Sequence, residues 1–127
     1  MAGKSRSRRR ISSGDGIVDW IFSRIIHALN HDIEEIHLKS VLYERHGGKT
    51  FSFYGYIDDG VIFLSAAKAR HADRRAIAKT LLHEVMHHVF YGVRERHILR
   101  FEDLVWEKLS EAQIEMLEFF VPKRIER

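Results

Sequence analysis

A chain of 127 residues is long enough for one hydrophobic core and short for more than one domain. It contains no cysteine, which excludes a disulfide framework, a thiolate metal site and a cysteine nucleophile; any metal must be held by His, Asp or Glu. Hydrophobic residues make up 45%, as in an ordinary globular protein, and no apolar run approaches the roughly eighteen residues that a membrane span needs.

The formal charge of +3 comes from one segment. Lys4, Arg6, Arg8, Arg9 and Arg10 are five of the 21 basic residues, leaving 16 basic against 18 acidic residues, a formal −2, in the rest of the chain. Residues 1–14 therefore read as a disordered basic tail without the apolar stretch of a secretory signal. Residues 15–122 read as a single domain and 123–127 as a C-terminal tail. The body is not a nucleic-acid surface by charge. Only the tail could touch nucleic acid, and a solvated tail that does little is the plainer account. No disulfides, no signal and no membrane span together give a cytoplasmic expectation.

Along the chain, Asp15 or Ser13 can cap a first helix reaching about Asn30, with Ile17, Trp20, Ile21, Ile25, Ala28 and Leu29 at helical spacing. Ile36–Tyr43 reads as a strand. Gly47 and Gly48 supply turn chemistry, and Thr50–Ile57 alternates aromatic with small residues as a second strand. Asp58-Asp59-Gly60 is a tight turn before a short apolar strand, Val61-Ile62-Phe63-Leu64-Ser65. Short connections make antiparallel pairing the simplest topology.

A second helix spans Asp73 to Gly92. Asp73 is its expected N-cap and Gly92 its expected C-terminal glycine. Ile77, Leu81, Val85 and Val89 form one apolar row, and Leu82, Met86 and Phe90 another, so the helix should be buried. Val93–His97 reads as a polar loop. A last helical stretch begins near Leu99 or Phe101 and carries Phe101, Leu104, Val105, Leu109, Ile114, Leu117 and Phe120 up to Pro122. Ser110 and Gln113 form a capping-box pattern that would break it near residue 110. The fold class is α+β: an N-terminal helix, a small, mainly antiparallel three-stranded sheet, the second helix and C-terminal helix packed together.

The second helix holds His83-Glu84-Val85-Met86-His87, an HExxH pattern. Histidines four residues apart share one helical face, so their imidazoles can share one metal ion. The adjacent glutamate can then act as general base on a metal-bound water. With nine histidines in the chain, a shuffled sequence would show this pattern about one time in twenty, so its context matters. In a buried helix these polar groups are costly without partners. A pair of hydrogen-bonded structural histidines is the competing account.

A catalytic zinc takes three protein ligands and leaves one position for water. Beside His83 and His87, the downstream candidates are Glu95, His97, Glu102, Asp103 and Glu111. Glu95 and His97 fall in the charged loop. Glu102 and Asp103 lie between Phe101 and Leu104-Val105, where apolar anchors can hold a carboxylate against the HExxH helix. The residues by themselves leave Glu102 and His97 open.

The run Thr80–Gly92, then Phe101-Glu102-Asp103-Leu104-Val105 and Leu109-Ser110, resembles small zincin-like metallopeptidase domains of phages and mobile elements, a trimmed gluzincin core. The likeness covers roughly residues 60–112. It implies a zinc cofactor held by His83, His87 and Glu102, with Glu84 as catalytic base. It also implies a substrate-binding edge strand at Val61, Ile62, Phe63, Leu64 and Ser65, to which a peptide or protein substrate would add as a strand. Asp103, where such domains often carry glutamate, and the basic, histidine-bearing loop depart from the pattern. Those departures keep open His97 and the three-histidine arrangement of SprT-like zincins. Tyr91, His88, His97, Tyr54 and Tyr56 are candidates to stabilise an oxyanion. The expected function is zinc-dependent peptide hydrolysis. The alternatives are a catalytically silent metal-binding module acting through protein contacts, and a nucleic-acid-associated protein led by its arginine tail.

Overall fold

The computed structural model describes residues 11–46, 49–52, 54–67 and 73–126. The arginine tail before residue 11 and the expected Gly47-Gly48 turn lie outside the described residues. The elements are α1 (Gly16–His31), β1 (Glu35–Lys39), β2 (Tyr43–His46), β3 (Lys49–Ser52), β4 (Gly55–Asp58), β5 (Val61–Ser65), α2 (Arg74–Val89), α3 (Glu95–Lys108) and α4 (Glu111–Phe120). This is an α+β arrangement of four helices on a small mixed sheet, as expected in class. Among the described residues, no helix is long and apolar enough to cross a membrane.

Local chemistry sets the helix starts. The Asp15 side chain accepts from the backbone N–H of Ile17 and Val18, and that of Asp73 from Arg75. Ser110 and Gln113 form a full capping box, and the chain breaks between α3 and α4 at that point. The buried row of α1 is Val18, Ile21, Phe22, Ile25, Ala28 and Leu29; Ile17 and Trp20, expected inside, are 73% and 58% exposed. A stripe at positions 18, 21, 22, 25, 28 and 29 follows the helical period more closely than one through 17 and 20.

The sheet order is β1-β5-β4. β5 runs parallel to β1 and antiparallel to β4, so the sheet is mixed, where a mainly antiparallel one was expected. The reason is that the expected strand Ile36–Tyr43 ends at Lys39. A separate hairpin, β2 with β3, fills the connection and frees β1 to pair with β5. Asp59 and Gly60 both have positive φ, 48° and 82°, as a type I′ hairpin turn between β4 and β5 requires. One sheet face carries a stacked row of His37, Phe63 and Tyr56. The alternate residues Leu38, Ile62 and Leu64 enter the core against the helices.

Both ends of the domain are tied down further than the expected boundaries. Glu126 exchanges backbone hydrogen bonds with Leu38 and Ser40, and its carboxylate meets His37 and Lys39 at 2.8 and 3.0 Å. Arg74 donates to the carbonyls of Glu118 and Val121, both at 2.9 Å, closing the C-terminal end of α4. Ser12 and Ser13, expected in the tail, donate to Asp19, which also receives the buried amide of Gln113 at 3.0 Å. These donors, Ser12 first, hold the Asp19 carboxyl well below the usual carboxylate range.

A group whose pKa is depressed in the folded state stabilises above its unfolded value, near about 4, and loses that contribution as pH falls below it. Asp19→Asn should therefore lower the melting temperature by a few degrees at pH 7. The difference from the parent should shrink as unfolding is followed from pH 5 down to pH 3. A difference that grows on acidification would contradict this account.

Candidate metal centre

The site is built on α2, the helix against which α1, α3, α4, β4 and β5 all pack. Most of its two apolar rows is inside as expected: Ile77, Leu81, Leu82, Val85 and Met86 are at most 2% exposed, while Val89 and Phe90 at the C-terminal end are partly buried. Each such side chain stabilises by roughly 1.5–3 kcal/mol, which fixes the rotation of the helix about its axis. That rotation carries His83, Glu84 and His87 to the side faced by β4 and α3. β4 can approach closely because Gly55 has no side chain; a Cβ there would lie 2.8 Å from the Phe63 carbonyl oxygen and 3.1 Å from the Thr80 methyl. Gly55→Ala should destabilise the protein by about 1–3 kcal/mol in denaturant unfolding, through overpacking of β4 against the Phe63 carbonyl of β5 and Thr80 of α2.

His83, His87 and Glu95 form a group that could hold a metal ion. The two Nε2 atoms lie 3.2 Å apart. Glu95 Oε1 is 2.6 Å from Nε2 of His87 and 3.2 Å from Nε2 of His83. A tetrahedral ion with bonds of about 2.05 Å separates its ligand atoms by roughly 3.3 Å. The two 3.2 Å edges fit as they stand. The shorter His87–Glu95 edge needs a small opening, and Glu95, exposed on the first turn of α3, can give it. Two imidazole nitrogens and one carboxylate oxygen are also a donor set that suits zinc and similar cations.

Glu102, expected from the resemblance as the third ligand, meets the other nitrogen. Its Oε1 is 2.6 Å from His83 Nδ1, and both side chains are nearly buried, at 10% and 12% exposed. An ionised carboxylate can only accept, so Nδ1 carries the proton and the Nε2 lone pair faces His87 and Glu95. Burial disfavours the charged form of His83. The Glu102 hydrogen bond and the carboxylates of Glu84, Glu102 and Glu95 outweigh it, and the His83 pKa lies above its ordinary value.

The remaining ligand candidates are engaged elsewhere or lie outside the group, while His88 and Tyr91 stand beside a cleft at Glu84. Asp103 is held by Lys79 at 2.9 Å, and Glu111 by Arg75 at 2.6 Å. His97 is exposed and outside the group. His88 Nε2 meets Asp32 at 3.0 Å, and Tyr91 is 92% exposed.

Glu84 is 6% exposed and turns toward the same side of α2. Burial pushes its carboxyl up to about 7; His83 opposes the shift, and Glu95 and Glu102 add to it. Two clefts open beside it. One, of about 380 Å³, is walled by Tyr54, Gly55, Thr80 and Leu99 and reaches His83, Glu84 and Glu95. The other, of about 690 Å³, is walled by Tyr56, Ile57, His88 and Tyr91 and reaches Glu84 and His87.

The strand expected to receive substrate does not border these clefts. Val61–Ser65 is β5, the central strand, paired along both edges with β1 and β4. Its backbone groups are already in ladders and cannot accept another strand. Ile62, Leu64 and Ser65 are buried. The strand beside Glu84 is β4.

Glu95 was the residue that sequence reasoning set aside. Its surroundings, Arg94, Arg96, His97 and Arg100, read as solvated loop, yet α3 begins at Glu95. The usable signal is periodicity. The buried residues of α3 are Ile98, Glu102 and Val105, and stepping back one more turn along that face reaches Glu95. Phe101 and Leu104, expected inside, are 41% and 50% exposed because the Ile98–Val105 face is the one turned inward.

No protein-family model, curated protein or solved structure matches the chain.

The two glutamates can be separated by metal titration. Glu95→Ala, which removes a ligand, should weaken zinc affinity more than Glu102→Gln, which loosens His83 and should cost about 10–100-fold. His97→Ala should change affinity little. If Glu95→Ala binds like the parent while Glu102→Ala loses the metal, Glu102 is the third ligand.

Proposed function

We propose that the protein is a zinc metallopeptidase, with the ion held by His83, His87 and Glu95 and with Glu84 as general base. The observation that carries this reading is the position of Glu84. It is a buried carboxylate on the stretch of α2 that also carries His83 and His87, and both clefts reach it. A site that only held a metal for stability would have no use for it, and burying a carboxylate is costly.

Zinc bound by these residues would supply Lewis-acid polarisation of a peptide carbonyl and acidify water at neutral pH. The chain's own groups do the rest. Glu84 accepts the proton of the attacking water and delivers it to the departing amine. Glu102 holds the His83 ring in the tautomer whose Nε2 is free to bind, and its hydrogen bond resists rotation of that ring. Lys79, 2.9 Å from Asp103 and 3.8 Å from Glu102, ties the start of this relay to α2. The substrate is a peptide or protein lying in the clefts beside β4.

Glu84→Gln tests the reading. The variant should fold, bind zinc like the parent, and cleave an unfolded fluorescent protein about 10²–10⁴-fold more slowly, because an amide cannot take up the proton. Chelation should abolish cleavage by the parent, and added zinc should restore it. A zinc-loaded parent that cleaves no peptide would favour a binding module; a Glu84→Gln variant as fast as the parent would remove Glu84 from the mechanism.

A further inference from the structure

Two features away from the metal centre share one end of the molecule. The first is the outer face of α1. Ile17 and Trp20 are 73% and 58% exposed and one turn apart, and Arg24 follows a turn later, also exposed. The buried row of α1, from Val18 to Leu29, holds the helix on the core, so these side chains stay outside. An indole and an isoleucine side by side in water are unfavourable. They suit the boundary between water and lipid, where a tryptophan ring can bury while its N–H stays solvated.

The second feature is the run Lys4, Arg6, Arg8, Arg9 and Arg10, five cations in seven residues. It joins the domain at Ile11, where the backbone is fixed. The Ile11 carbonyl accepts from Ser110 Oγ at 3.1 Å, and Ser12 Oγ and the Ser13 N–H donate to Asp19, in the first turn of α1, at 2.6 and 2.8 Å. The basic run therefore starts at the end of α1 that carries Ile17 and Trp20. A chain of its length reaches at most about 25 Å from that point. The carboxylates at the same end are engaged by the chain itself. Asp15 caps α1 and lies 3.7 Å from Lys108, and Asp19 is turned toward Gln113 of α4 at 3.0 Å. A nucleic acid would match the five cations but has no use for Ile17. A bilayer with anionic headgroups answers both features. Each basic residue near such a surface is worth about fivefold in partition, and the apolar side chains enter the boundary layer. Stable attachment takes two signals of this kind acting together.

We propose that this end of the protein is a docking surface for membranes rich in anionic phospholipid. Ile17 and Trp20 insert at the headgroup boundary, and Arg24 with the run from Lys4 to Arg10 pairs with the lipid headgroups. Attachment is reversible and nothing crosses the bilayer. The inference is independent of the peptidase reading.

The test uses the full chain with vesicles of phosphatidylcholine and phosphatidylserine in equal parts, and with vesicles of phosphatidylcholine alone. Co-sedimentation should show binding to the mixed vesicles at least about tenfold tighter than to the neutral ones, weakening as salt is raised. Trp20→Ser and Ile17→Ser should each weaken binding to the mixed vesicles several-fold, and replacing Arg8, Arg9 and Arg10 together by Gln should weaken it by about 10²-fold. Melting curves check that these variants fold. A Trp106→Phe variant keeps α1 intact and leaves Trp20 as the one indole; its emission should move to shorter wavelength when mixed vesicles are added. Equal binding to both kinds of vesicle, or to neither, overturns the proposal. So does full binding by Trp20→Ser, or Trp20 emission that does not move, since the basic run would then act alone. An oligonucleotide that binds where vesicles do not would assign the run to nucleic acid, and a dimer that buries Trp20 and ignores vesicles would assign the face to a second copy; either result overturns it.

Discussion

Much of the domain is organised around the contact between Glu102 and His83. It joins the two helices that carry the site through a 2.6 Å hydrogen bond between two nearly buried side chains. Burying either group alone would be costly; together each satisfies the other. The contact fixes the rotation of α3 against α2. Seven residues along a helix make 700°, within about 20° of two full turns, so Glu95 lies on nearly the same face as Glu102. Once Glu102 is seated on Nδ1, Glu95 is directed at the Nε2 pair. One ring is thus held at both nitrogens by a single helix.

The charges around that ring favour a cation there. Three carboxylates, Glu84, Glu95 and Glu102, lie near two imidazoles on a helix whose core-facing rows are apolar. Burial raises the Glu84 pKa, with Glu95 and Glu102 adding to it, and against the cost of burial the His83 pKa rises through its Glu102 hydrogen bond and the same negative field. A proton or a metal ion can answer that field at Nε2, and the two draw on the same lone pair. Glu102 and Glu95 each meet one imidazole at 2.6 Å, as a pair of structural histidines would need, but Glu95 also reaches Nε2 of His83 at 3.2 Å. Here the carboxylates converge from two helices on one small volume.

The sequence was readable where local chemistry decides structure. The HExxH spacing, the Asp15 and Asp73 caps, the Ser110–Gln113 box and the two apolar rows of α2 all depend on residues within two turns of one another. The Asp59-Gly60 turn is of the same kind. What could not be read depended on partners distant in sequence. Val61–Ser65 is an almost unbroken apolar run, as suits a strand covered on both sides, but periodicity does not say which strands flank it. Its parallel partner β1 is held at the start of its run by Glu34 bonding to Gly60, and at its end by Glu126, from the far end of the chain. Glu95 was hidden by its neighbours: four charged or imidazole side chains flank it, and the first buried apolar residue of α3, Ile98, comes three positions later. The carboxylate of the Phe101–Val105 stretch was correctly placed against α2, but spacing does not distinguish a residue that reaches Nε2 from one that reaches Nδ1.

The sheet contributes to the site by what it leaves out. β5 in the centre anchors the core through Ile62 and Leu64, both fully buried, and so fixes the plane of the sheet against α2. β4 then comes off the tight Asp59-Gly60 turn with its register to β5 already set, Ile57 opposite Ile62 and Gly55 opposite Leu64. At Gly55, which lines the first cleft, a Cβ would lie 2.8 Å from the Phe63 carbonyl oxygen of β5 and 3.1 Å from the Thr80 methyl of α2. The clefts beside β4 are therefore placed by a strand, β5, whose residues do not line them. His83, Glu84, His87, Glu95 and Glu102 all sit on helices, α2 and α3, rather than on loops, which is how so small a domain can hold these side chains in one geometry.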